Sequence, residues 1–117
     1  MIFGRFKMRS AVPLVALFLA LAGGCKSGGA GTSDEGIASY YHNSLAGNST
    51  ASGAKYDPRK QTCAHRTLPF GSEVEIEDLK TGRTARCVIN DRGPWVDGRI
   101  IDMSRATAEK LGVYGKR

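Results

Sequence analysis

The chain is poor in several residue types that would signal particular chemistries. Its 117 residues include two histidines, three cysteines, four prolines and one tryptophan. Metal ligation needs several convergent ligands, and His42 and His65 are the histidines available, so no metal is expected. No G-x-S-x-G and no glycine-rich phosphate loop occurs, which removes the serine-hydrolase and nucleotide-binding patterns; no cofactor is expected. Basic residues form no run and do not interleave with aromatics, so nucleic acid is not an expected partner. No apolar stretch reaches the roughly 20 residues that a membrane-spanning helix needs.

What is present begins at the N-terminus. Arg5, Lys7 and Arg9 precede an apolar run from Ala11 to Ala22, and Gly23-Gly24-Cys25 follows. A positive start, a short apolar core and small residues at its end are the marks of a secretory signal peptide. Small residues before a cysteine resemble a bacterial lipobox, with Ala22 at the position usually held by leucine. Residues 1–24 are therefore expected to be a lipoprotein signal peptide, and Cys25 the lipidated first residue of the mature chain. Residues 25–35, rich in Gly and Ser, read as a flexible tether. Lys26 rather than Asp follows the cysteine, which favours a lipid anchor in the outer membrane facing the periplasm.

Removing the leader lowers the net charge from +6 to +3, leaving 14 basic against 11 acidic residues. It also resolves the odd cysteine count. With Cys25 lipidated, Cys63 and Cys87 are the one pair left, and an exported chain is in surroundings that oxidise them. The remaining domain, 36–117, is small enough for its core to be marginal, so a covalent staple is useful.

Local patterns place short elements along this domain. Gly36 to His42 reads as a strand, and Asn43 to Asp57 as a long loop rich in Gly, Ser, Asn and Thr. Glu73 to Asp78 alternates charge with Val74 and Ile76 as a half-buried strand. Lys80-Thr81-Gly82 is a turn, and Arg83 to Asn90 is the returning strand of a hairpin. Arg99 to Met103 is a further strand. Ser104 can cap a helix over Arg105 to Leu111 that Gly112 ends, with Ala106, Ala108 and Leu111 packed inward. Several short strands and one helix argue for a small β-barrel.

Two segments carry groups able to handle a proton beside the paired cysteines. His65 lies two residues after Cys63, and Asp91 four after Cys87, so a Cys63–Cys87 bond draws both toward one place. Asp91 ends a strand at a Gly-Pro turn, where a side chain is open to a ligand. Asp-Arg-Gly-Pro is also ordinary turn chemistry, with the Asp capping a loop amide. Asn90 and Arg92 can bind a substrate or fix the carboxylate, and Trp95, Tyr40 and Tyr41 offer flat faces suited to sugar rings.

The motifs GIASYY at Gly36, TASG at Thr50, Tyr56-Asp57, TCAHRTLPFG at Thr62, VINDRGPW at Val88 and GRIIDMSRATAEKLG at Gly98 follow in order. Together they resemble the rare lipoprotein A family over Gly36 to about Val113. The resemblance implies a mainly β fold, a six-stranded double-psi β-barrel with one short C-terminal helix. It implies an endolytic lytic transglycosylase that acts on peptide-free peptidoglycan glycan strands, with division-site proteins as possible partners. The functional Asp and His of the family's motifs fall on Asp91 and His65: Asp91 as acid and base, His65 as its hydrogen-bonding or substrate-orienting partner. Tyr41, Thr50, Ser52, Arg66, Asn90, Arg92 and Trp95 are the expected substrate-binding residues. The same barrel serves non-catalytic polysaccharide binding in expansins and barwin-like proteins, so a wall-binding lipoprotein is the alternative. Two departures stand out. Ala54 replaces a common Glu, removing a carboxylate from the groove. The chain also stops shortly after the helix, where members continue into another strand, so the barrel is expected to lack its last strand and to show an open edge.

Overall fold

A computed structural model of the chain describes residues 5–10 and 33–115. The expected apolar leader run, Cys25 and tether residues up to 32 lie outside the described residues. Six strands and one helix follow in order: β1 (Arg5–Ser10), β2 (Ser33–Tyr40), β3 (Thr62–Ala64), β4 (Glu73–Asp78), β5 (Thr84–Asp91), β6 (Arg99–Met103) and α1 (Arg105–Leu111). The strands close into a barrel in the order β1-β2-β6-β3-β5-β4. β2 runs parallel to β6, and β3 parallel to β5, while the other neighbours are antiparallel. This mainly β architecture is the one expected of a double-psi barrel.

Alternation explains why these segments are strands. Successive side chains of a strand point to opposite faces, so a barrel strand buries every second residue. On β4 these are Val74, Ile76 and Asp78, and on β5 Ala85, Cys87 and Ile89. Phe6, Met8, Ala38, Cys63, Ile101 and Met103 complete the barrel interior, and Ala108, Leu111 and Val113 pack against it from the helical end.

Local chemistry sets the ends of the elements. At the β4–β5 turn the Asp78 carboxylate accepts from Lys80 N at 2.9 Å, and the Asp78 carbonyl accepts from Gly82 N at 2.7 Å. Gly82 has φ 80°, a left-handed conformation that costs least without a Cβ. Ser104 caps α1 by accepting from Thr107 N, and Gly112 at φ 79° ends it. Thr107, rather than Ala106, joins Ala108 and Leu111 on the buried face, its hydroxyl 2.9 Å from Ser104 Oγ.

Three features differ from the sequence reading. β2 starts at Ser33, within the stretch read as tether, and ends at Tyr40. β3, too short to show alternation, is a central strand paired with both β5 and β6. The expected open edge is closed. No strand follows α1 among the described residues; β1 fills the gap instead, pairing with β2 and β4 and sinking Phe6 and Met8 to 1% exposure.

Cys63 and Cys87 are disulfide-bonded, with Cα atoms 5.8 Å apart. The bond ties β3 to β5, the two strands that end at the candidate site.

Candidate functional site

The site starts from a strand irregularity. β3 and β5 pair Cys63 with Ile89, but the next residue, Ala64, pairs with Asp91. Asn90 is thus the extra residue of a bulge, which bends a strand and re-aims the side chains beyond it. Asp91 follows the bulge, and its carbonyl accepts from His65 N at 3.2 Å. The backbone places His65 beside Asp91, as the cysteine spacing suggests.

Their side chains then part. The Asp91 Oδ2 atom accepts a 2.7 Å hydrogen bond from the Tyr41 hydroxyl. Oδ1 accepts from Ala51 N at 2.8 Å and from Arg92 N at 2.9 Å. The His65 Nδ1 atom instead accepts from Thr67 N and Leu68 N, each at 3.1 Å. No side-chain hydrogen bond joins His65 to Asp91 among the described residues. The expected hydrogen-bonding role of His65 toward Asp91 is filled by Tyr41, because the turn after Ala64 supplies two N–H groups that capture the imidazole.

Those two bonds also define the tautomer. An Nδ1 that accepts carries no proton, so the neutral ring is protonated at Nε2. Burial lowers the His65 pKa from the ordinary 6.5; nearby Asp34 opposes this, while Arg66 and Arg92 add to the lowering. The ring lines a small hollow of about 200 Å³ with Asp34, Arg66, Thr67 and Ile100.

Tyr41 is held from three sides. Its backbone N donates to Met103 O at 3.0 Å, and its ring meets Tyr56 edge-on with centroids 4.6 Å apart. Burial raises its pKa most, followed by the hydrogen bond to Asp91 and the charges of Asp91 and Asp102. The phenol therefore stays protonated and acts as a donor. Asp102 belongs to a part-buried cluster in which Arg99 donates to it at 2.6 Å and Ser39 donates as well.

The remaining expected substrate-binding residues divide. Arg66 donates to the carbonyls of Pro94 at 2.6 Å, Val96 at 3.1 Å and Arg99 at 2.8 Å. Arg92 donates to the carbonyls of His65 at 3.1 Å and Leu68 at 2.8 Å and lies over the Phe70 ring. Both guanidinium groups brace loops around the site. The bracing also turns the Arg92 charge toward those carbonyls, so that its backbone N–H, not its guanidinium, meets Asp91.

Thr50 is buried and Ser52 exposed, and their hydroxyls bond within their own turn. Thr50 Oγ1 donates to Ala54 O at 2.7 Å and lies 3.1 Å from Ser52 Oγ, which accepts from Ala54 N at 3.4 Å. Ser52 N donates to Asn90 O at 3.2 Å. These bonds close the 50–54 turn on itself and aim Ala51 N at Asp91. Asn90 Oδ1 is buried and has no hydrogen-bond partner among the described residues. Trp95 is 74% exposed on the loop that Arg66 braces, so its face is open to a ligand. Ala54 supplies no side-chain polar group; it lines a shallow hollow of about 540 Å³ with Lys55, Tyr56, Asp57 and Arg59.

Sequence reasoning missed Ala51 and Asp102. The first acts through its backbone N–H and leaves no side-chain signal. The second sits in a strand motif whose alternation is otherwise apolar. Among the described residues no three His, Cys, Asp or Glu side chains gather at metal-binding distance.

Comparison with known proteins adds a family to this geometry. Residues 33–117 match the double-psi β-barrel family described as lytic transglycolase. The chain is 48% identical over 85 residues to the endolytic peptidoglycan transglycosylase RlpA of Pasteurella multocida, covering 73% of this chain and 29% of the relative. It is 45% identical over 83 residues to the probable endolytic peptidoglycan transglycosylase RlpA of Nostoc sp., covering 69% and 22%. It is 51% identical over 77 residues to the probable enzyme of that name in Treponema pallidum, covering 66% and 24%. The chain thus spans less than a third of the length of each of these relatives.

Proposed function

The chain belongs to the lytic transglycolase family of double-psi β-barrels, that of the rare lipoprotein A proteins, and on that premise we propose that it cleaves peptidoglycan glycan strands as an endolytic transglycosylase. The observation that carries this reading is the single carboxylate of Asp91, held by Tyr41, Ala51 N and Arg92 N at the end of β5.

One carboxyl group is chemically sufficient for this reaction. In its protonated form Asp91 gives a proton to the glycosidic oxygen as the bond to the anomeric carbon breaks. The 6-hydroxyl of the same muramic sugar attacks that carbon, and its proton passes to Asp91. The products are a new 4-hydroxyl end and a 1,6-anhydromuramic end, and the enzyme is restored with no water consumed. Tyr41 keeps the carboxylate in one orientation throughout, which matters because catalysis depends on fixed geometry at the reacting atoms.

His65, which lines the hollow beside the site, serves as a substrate-orienting donor through its Nε2–H. Trp95 offers a stacking face for a sugar ring. The relatives' peptidoglycan substrate implies the bacterial cell envelope. Lipid on Cys25 would tether the domain to the outer membrane, facing the periplasm.

The test is to incubate the protein with peptide-free glycan strands and analyse products by mass spectrometry. Anhydromuramic ends that disappear with Asp91→Asn are expected. Binding to sacculi without such ends would overturn the reading in favour of a wall-binding protein.

A further inference from the structure

The turn that grips Asp91 leads straight into a second feature. Beyond Ala54 the chain runs through Lys55 to Lys60 and forms, with Ala46 and Gly47, the shallow hollow of about 540 Å³. Its walls are fixed by the backbone. Ser49 and Lys55 form an antiparallel bridge. Gly47 N donates to Tyr56 O at 2.9 Å, Tyr56 N to Asn48 O at 2.8 Å, and Ala106 N to Pro58 O at 2.9 Å.

The hollow is cationic. Lys55, Arg59 and Lys60 line it against the single carboxylate of Asp57. That carboxylate is already matched, since Arg59 Nε donates to its Oδ1 at 3.0 Å and Arg59 Nη2 to its Oδ2 at 3.1 Å. Lys55 and Lys60 are exposed and enter no salt bridge among the described residues. Ala54 places no carboxylate on the rim. Two lysines on fixed backbone, with no anion of the protein beside them, leave a surplus of positive charge that attracts an anion from solution.

Two connections join this hollow to the acid. Ala54 O accepts from Thr50 N and from Thr50 Oγ1, each at 2.7 Å, and the same turn aims Ala51 N at Asp91. Tyr56, which lines the hollow, meets edge-on the ring of Tyr41, the donor to Asp91.

We propose that the Lys55–Lys60 hollow is a subsite for a carboxylate carried on the glycan strand, and that it biases which bond of the strand reaches Asp91. The proposal rests on the cleavage reading for its substrate. In a strand of two alternating sugars, only the muramic sugar bears a carboxylate. Its lactyl carboxylate is free where the peptide has been removed; where a stem remains, the carboxylates are those of the peptide. Seating one carboxylate beside the lysines fixes the register of the strand, so that a muramic anomeric carbon, and not that of the other sugar, stands at the acid. A shift by one sugar takes the carboxylate out of the hollow. Exposed ion pairs are individually weak and screened by salt, so the effect is graded.

The test measures binding of glycan strands to the Asp91→Asn protein, which keeps the hollow and lacks the acid. Amidating the strand carboxylates should weaken binding roughly 3- to 10-fold at low salt. Lys55→Ala with Lys60→Ala should lose about as much on native strands and bind amidated strands as the parent does, while Lys55→Arg with Lys60→Arg keeps the charge and should retain affinity. These differences should fade near about 0.5 M salt. A lysine-dependent gain on peptide-free strands assigns the lactyl carboxylate; a gain confined to stem-bearing strands assigns the peptide's. Equal affinity for native and amidated strands, or a loss in the alanine variant that is the same on both, overturns the proposal, as does the absence of binding. With Asp91 intact, the alanine variant should raise KM and leave kcat unchanged. Lysine-dependent binding without anhydromuramic ends from the intact protein would reject cleavage and keep the subsite; cleavage with no dependence on strand carboxylates would do the reverse.

Discussion

Tyr41 and Asp91 lie fifty residues apart in the chain, and their side chains meet at 2.7 Å. The phenol donates and the carboxylate accepts, with the phenol kept protonated by burial and by the charge it faces. Tyr41 sits just beyond β2 and Asp91 ends β5, strands that are not neighbours in the barrel. Two backbone N–H groups complete the grip on the acid.

Tyr41→Phe should leave the fold intact, because the ring and its edge contact with Tyr56 remain. It removes one hydrogen bond to a charged acceptor, worth about 1.5–3 kcal/mol. Turnover on glycan strands should fall by roughly 10- to 100-fold with little change in KM. Steady-state kinetics check this, and an unchanged turnover rate would show that Tyr41 does not position the acid.

Loss of the Cys63–Cys87 bond should destabilise the domain by about 3 kcal/mol in the chain-entropy model for a loop of this length. Urea unfolding of the Cys63→Ala, Cys87→Ala variant measures it. Activity should fall as well, since the bond ties together the strands that deliver His65 and Asp91.

Arg66→Ala should cost about 0.5–1.5 kcal/mol, chiefly through the part-buried bond to Pro94 O, since water can reach the other two carbonyls. Lysine at this position has one compact head and does not reproduce the fork, so Arg66→Lys should recover little. The same denaturation experiment reads both, and tryptophan fluorescence should report a loosened Trp95 loop.

His65 makes stability depend on pH in a definite direction. Its pKa is lower in the folded protein than the ordinary 6.5. Below that value the unfolded chain therefore binds more protons than the folded one, and stability falls as pH falls. The contribution is fully present above about pH 6.5 and is lost on acidification through the folded value. Protonating Nδ1 also breaks the bonds from Thr67 and Leu68. Melting temperature should drop between pH 7 and pH 5, and His65→Asn should flatten that part of the profile. An identical profile in the variant would exclude His65 as its source.

Much of the fold was legible because the signals are local. Alternation marked β4 and most of β5, Asp78 to Gly82 had the composition of a tight turn, and Ser104 and Gly112 bracketed the helix. The Cys63–Cys87 pairing followed from counting once Cys25 was assigned to lipid, and the adjacent motifs pointed to Asp91 and His65 as the residues to watch. Other features depend on which strands meet. Arg66 and Arg92 look like ligand-binding residues in a motif, but the loops around them present carbonyls that only the closed barrel brings within reach. The His65 imidazole is turned away from Asp91 by two N–H groups of its own turn, and the partner it leaves vacant is filled by Tyr41 from across the barrel. The entry of Arg5–Ser10 into the sheet is the clearest case: Phe6 and Met8 alternate over too few residues to announce a strand, and only pairing with β2 and β4 in the closed barrel makes them one. The sequence by itself determined the local elements, their caps and the identity of the candidate acid; strand register, a non-local property, decided which groups hold that acid and which strand closes the barrel around it.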